Sequence, residues 1–111
     1  MLISLVNIGA STQISFLAPN AAKERYTMNL FNLNYEVYSH SYLCYGQQQM
    51  RYVYQGQLIQ QANGNLIIDD PCLQTGYNES ILHGKISSSA CNIQQYTPPN
   101  NFNAATNLTF R

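Results

Sequence analysis

GASTQISF, residues 9 to 16, follows the apolar stretch LISLV at 2 to 6 and gathers small residues, hydroxyls and an amide before it turns strand-like. Two short apolar runs separated by Gly9, Ala10 and Ser11 predict a β-hairpin, with strands over 2–6 and 12–18. The same residues fit a second purpose. A residue without Cβ lets the backbone approach an anion closely, and the N–H groups of a tight turn can point at its oxygens. A serine hydroxyl and a glutamine amide, as at Ser11 and Gln13, can hold a water molecule, but neither is basic enough to deprotonate it at neutral pH. Five residues alone favour the plain hairpin.

Moving outward, the polar connection APNAAKER at 18–25 leads into strand-like YTMNLF at 26–31 and, after a break at Asn32-Leu33-Asn34, into YEVYSHSYL at 35–43. Asparagine suits such a break because it tolerates the left-handed region and bonds to the local backbone. A second hairpin is expected. Beyond Gly46, the spacing of Met50, Val53, Tyr54, Leu58 and Ala62 predicts a helix, which Gly56 weakens and Ala62-Asn63-Gly64-Asn65 ends. The rest, from LIIDDPC onward, carries Pro71, Gly76, Gly84, Pro98 and Pro99 and reads as loop-rich. Strands followed by a helix give an α/β or α+β chain with too few elements to cover a sheet on both faces.

With 111 residues and 45% hydrophobic content the chain suits one domain with a core rather than two. Charged residues make up 9%, acids balance bases and there is no basic run, so a nucleic-acid footprint is excluded. No apolar stretch approaches the roughly 20 residues of a membrane span, and MLISLV lacks the form of a secretory signal. Three cysteines, Cys44, Cys72 and Cys91, and glycosylation sequons at Asn78 and Asn107 point to an oxidising compartment. The odd count leaves one thiol free or paired outside the chain. His40, in a tyrosine-rich strand, and His83, expected in a loop, lack a second ligand at metal spacing and read as structural. The tyrosines at 35, 38, 42, 45, 52 and 54 read as core and sheet-face packing.

Three ordered segments, GASTQ at 9–13, HSYLCYG at 40–46 and DPC at 70–72, together resemble the ecto-apyrases, the ectonucleoside triphosphate diphosphohydrolase family. GASTQ is similar to the end of that family's fourth signature, Asp-Leu-Gly-Gly-Ala-Ser-Thr-Gln, and HSYLCYG resembles the cell-surface members. The resemblance implies a partial ribonuclease H-like, actin-like ATPase lobe of α/β class: an incomplete second lobe, matching over 9–91, poorly over 1–8 and loosely over 92–111. It implies hydrolysis of nucleoside tri- and diphosphates with Ca²⁺ or Mg²⁺ at a cell surface, in a cleft shared with a first lobe, on a protein held to the membrane by segments outside this sequence. Gly9, Ala10, Ser11, Thr12 and Gln13 would line a phosphate loop, with Ser11 and Gln13 positioning the attacking water. Cys44 and Cys91 would form a disulfide, stabilising the fold by roughly 3 to 4 kcal/mol, and Cys72 would pair beyond Arg111.

The departures are as informative. Aligned on Gly9, the family's metal-site Asp falls on Val6 and its first Gly on Ile8, while Gln47 and Gln48 replace a basic residue and an Asp. Valine offers no oxygen to a metal-bound water, and isoleucine obstructs a close backbone approach. None of Glu24, Glu36, Asp69, Asp70 or Glu79 matches the family's catalytic base. A fragment inactive by itself is therefore expected, with MLISLVNI as misjoined or intron-derived sequence. The alternative is a noncatalytic secreted module that binds nucleotide or a partner on the same scaffold; an unrelated Asn/Gln-rich domain is the third reading.

Overall fold

A computed structural model describes residues 3–17, 25–92 and 96–111. Its elements run β1 (Ile3–Asn7), β2 (Ser11–Leu17), β3 (Arg25–Leu30), β4 (Leu33–Leu43), α1 (Gln47–Gln61), β5 (Ile67–Ile68), β6 (Glu79–Leu82), α2 (His83–Ser87) and β7 (Asn107–Phe110). Among the described residues, two sheets and two helices make it an α/β chain, divided into a unit up to Gln49 and another from Met50.

The first unit is an antiparallel sheet in the order β1-β2-β4-β3. Both expected hairpins form. Leu2, the connection at 18–24 and Glu24 within it lie outside the described residues. Alternation places Ser11, Gln13 and Ser15 on one face and Thr12, Ile14 and Phe16 on the other. Hydroxyls tie the first face together, with Ser15 Oγ and Ser39 Oγ 2.8 Å apart. The second hairpin turns at Phe31-Asn32, not over 32–34: both residues have positive φ (51° and 62°), and Leu33 and Asn34 already pair with Leu30 and Asn29. A two-residue turn with two left-handed residues matches the twist of its strands, which a three-residue break does not.

The second unit holds the apolar core. Leu58, Ile59, Ile68, Ile86, Leu108 and Phe110 are buried, with Tyr52, Tyr54, Leu73, Tyr96 and Phe102 packed around them. The expected helix forms, but its buried face carries Gln55, Gly56, Leu58 and Ile59, while Met50 is exposed. Gly56 explains the rotation. A Cβ there would meet Asn92 Oδ1 at 3.2 Å and Tyr96 Cδ2 at 3.3 Å, so the glycine sits on the contact instead of merely weakening the helix. Asn63 and Gly64, both at positive φ, end α1 as expected.

The tail expected to be loop-rich contains a sheet in the order β5-β7-β6, with β5 and β7 parallel and β6 and β7 antiparallel. Its strands are two to four residues long, too short for alternation to reveal. His83 opens α2 instead of lying in a loop and is buried, with Nδ1 3.1 Å from the Asn103 carbonyl and Nε2 2.6 Å from the Tyr96 hydroxyl. A carbonyl only accepts, so Nδ1 carries the proton and the Tyr96 hydroxyl donates to Nε2. Burial pushes the Tyr96 hydroxyl up to about 12. Of the six tyrosines assigned to packing, Tyr45 is largely exposed in the connection between β4 and α1, and Tyr42 is partly exposed with its ring edge-on to His40 and Tyr45. Cys44 and Cys91 are disulfide-bonded, and Cys72 is free and exposed.

Candidate functional site

The first hairpin closes with two backbone bonds, Ile8 N–H to the Ser11 carbonyl at 3.0 Å and Ser11 N–H to the Ile8 carbonyl at 3.2 Å. Gly9 and Ala10 form its tip. Their carbonyls are occupied: Gly9 accepts from Gln49 N–H and Ala10 from Cys44 N–H, each at 3.0 Å. Asn7 Oδ1 accepts from Gln47 N–H at 2.9 Å, at the first turn of α1, where amides have no intrahelical partner. Thr12 Oγ1 donates to the Tyr45 carbonyl at 2.7 Å. The segment 44–49 thus holds the turn from behind.

Gly46 makes that support possible. A Cβ at this position would run into the Ile8 carbonyl oxygen and the backbone of Ala10 and Ser11. Sequence reasoning placed Gly46 inside a family segment without seeing this contact, because close approach of backbone to backbone leaves no local pattern.

With the carbonyls engaged, the exposed Gly9 and Ala10 amides have no hydrogen-bond partner among the described residues. Beside them, Gln13 Nε2 donates to Ser11 Oγ at 2.5 Å and approaches Ser41 Oγ at 3.3 Å. Ser11 is buried and Gln13 half-buried. Because Gln13 is the donor in this pair, the Ser11 proton and the Gln13 carbonyl oxygen remain for a further small polar molecule. The structure therefore brings Ser11 and Gln13 together and turns Thr12 to the opposite face, its hydroxyl already used.

Val6 lies directly across from Gln13 in the β1–β2 register, and Ile8 is exposed at the turn. Val6 thus stands beside the Ser11–Gln13 pair without a side-chain oxygen. Among the described residues no three His, Cys, Asp or Glu side chains group to hold a metal ion. The turn itself, Val6 to Gln13, offers no carboxylate to Ca²⁺ or Mg²⁺. Among the described residues up to Gln49 the one carboxylate is Glu36. Glu36 projects from the opposite face of the sheet, Asp69 is paired with Arg111 at 3.0 Å, and Arg51 bridges Asp70 at 2.8 Å and Glu79 at 3.0 Å.

That bridge is structural. The Asp70 side chain is fully buried and also accepts from the Tyr54 hydroxyl at 3.2 Å and from Cys72 N–H at 2.9 Å. Partial burial opposes the Arg51 charge, but its bond to Glu79 and the nearby Asp70 carboxylate outweigh it and raise the pKa. The hydrogen bond with Cys72, followed by burial and the Asp70 charge, holds the Tyr54 hydroxyl above the ordinary tyrosine range. Of the two sequons, Asn78 is exposed just before β6, and Asn107 is exposed as the first residue of β7.

The GDA1/CD39 (nucleoside phosphatase) family model matches residues 5–107. The chain belongs to this family. It is 34% identical over 107 residues to ectonucleoside triphosphate diphosphohydrolase 3 of Mus musculus, covering 92% of the chain and 20% of the relative. It is 32% identical over 104 residues to ectonucleoside triphosphate diphosphohydrolase 2 of Homo sapiens, covering 91% and 20% respectively. With ectonucleoside triphosphate diphosphohydrolase 8 of Gallus gallus it shares 40% over 86 residues, 75% of the chain and 17% of the relative. This GDA1/CD39 chain spans about a fifth of the length of these relatives. No helix among its described residues is long and apolar enough to cross a membrane.

Proposed function

We propose that this GDA1/CD39 chain carries one wall of the phosphate site of a cell-surface nucleoside tri- and diphosphate hydrolase and belongs to its second, actin-like lobe. The observation that carries the reading is the Ser11–Gln13 pair beside the exposed Gly9 and Ala10 amides. Amides aimed at a terminal phosphate offset its charge, and an oriented water beside them reacts through positioning rather than covalent chemistry. Ser11 and Gln13 orient that water; the proton acceptor, any divalent ion and the base-binding groups belong to the rest of the enzyme. Cys72 keeps its thiol for a partner cysteine there, Asn78 and Asn107 carry glycans, and the membrane anchors lie in other segments.

By itself the chain should release no phosphate from ATP or ADP with Ca²⁺ or Mg²⁺; turnover near that of an intact relative would overturn the reading. The positive test grafts residues 1–111 into the matching segment of an active relative. The graft should be inactive, Val6→Asp with Ile8→Gly should restore activity, and Ser11→Ala or Gln13→Ala should then lower kcat about a hundredfold. A second reading, a noncatalytic nucleotide-binding module, is favoured specifically by Val6 and Ile8. It predicts calorimetric binding of a non-hydrolysable ATP analogue that Val6→Asp does not improve.

A further inference from the structure

The turn between β3 and β4 spends stability to display an aromatic ring. Phe31 and Asn32 both have positive φ, which asparagine or glycine adopts readily and a bulky side chain does not. Phe31 is 95% exposed, so no packing offsets the strain. Leu30 and Leu33 face each other across the strands directly behind it, both exposed, and the next pair on that face is Met28 with Tyr35. On the other face Asn29 Nδ2 donates to Asn34 Oδ1 at 3.0 Å. No residue from Tyr26 to Tyr35 is charged.

We infer that this hairpin tip is a finger that dips into the interface of an electrically neutral lipid bilayer. Three features select that occupant. The apolar group is convex and protrudes, so a protein partner must supply a matching pocket whereas a bilayer receives it without one. Tyr35 lies about 7 Å behind Leu33 at strand rise, and Tyr26 about 14 Å behind Leu30, set back as tyrosines are at the headgroup level. Between Tyr26 and Tyr35 no basic side chain selects anionic lipid, so apolar transfer supplies the attraction there. The inference stands apart from the nucleotide reading, since no residue of this hairpin belongs to the turn at 8–11.

The chain contains no tryptophan, so Phe31→Trp places a single reporter at the tip. Phosphatidylcholine vesicles should shift its emission to the blue, and brominated acyl chains should quench it; Tyr77→Trp should show neither effect. Phe31→Asn, which suits the turn better, should fold at least as stably by circular dichroism and thermal melting while vesicle partitioning falls at least tenfold. The inference is overturned if the Phe31→Trp emission ignores lipid, or if Phe31→Asn partitions as well as the parent chain. It is equally overturned if binding requires phosphatidylserine and vanishes with salt. A blue shift that grows with protein concentration in the absence of lipid would overturn it in favour of a second copy of the chain.

Discussion

The two units solve the problem of holding a chain in place by different means. In the sheet unit only Ser11 and Gly46 are buried among the described residues, and order comes from ladders, hydroxyl pairs and backbone contacts. In the unit from Met50 onward, six buried apolar side chains among the described residues form a core around Phe110 and Ile59. The polar pair that points to chemistry sits in the unit with almost no apolar burial. Polar groups near solvent remain available to a ligand, whereas those inside a core must be satisfied by the protein itself.

The contrast can be broken most forcefully at Phe110. Phe110→Ala should cost about 3 to 5 kcal/mol in urea unfolding, whereas Phe16→Ala, at a half-buried sheet position, should cost about 1 kcal/mol or less. Equal losses would show that the units do not differ in how burial stabilises them. Next in size is Arg51→Ala, which strands the buried Asp70 carboxylate with neutral donors alone and should cost about 2 to 3 kcal/mol by the same measurement. Gln55 sharpens the comparison from the other side. It is fully buried with neither amide atom hydrogen-bonded, so Gln55→Leu should be neutral or stabilise by about 1 kcal/mol, and a clear loss of thermal stability would reveal a hidden partner.

The last effect is confined to alkali. The folded state holds the Tyr96 proton up to about 12, above the ordinary 10.0, so an unfolded chain releases it first. Stability complete below pH 10 should therefore fall as pH rises toward 12, and Tyr96→Phe should flatten part of that slope in pH-dependent melting.

The hairpins, the helix and its Asn63-Gly64 end were legible because each depends on a pattern a few residues long. The pairing of Cys44 with Cys91 and the phosphate role proposed for residues 9–13 came from resemblance to the ecto-apyrases, not from spacing. What escaped was non-local. The β5-β7-β6 sheet joins residues about 25 to 42 apart in sequence, His83 gains its partners from the segment 96–103, and Gly56 and Gly46 matter only for what approaches them. Gln55 shows the same limit in reverse, since its polarity gives no hint that the fold buries it.

The supports behind the first turn have a consequence in time. Asn7 and Thr12 are bonded to residues 40 and 33 positions further along. During synthesis, residues 1 to 17 emerge with the whole GASTQ stretch but without its scaffold, which is complete only once Gln49 has left the ribosome. A synthetic peptide of that length would share the letters and lack the cradle, and the loop would acquire its shape late, as contacts of large sequence separation do.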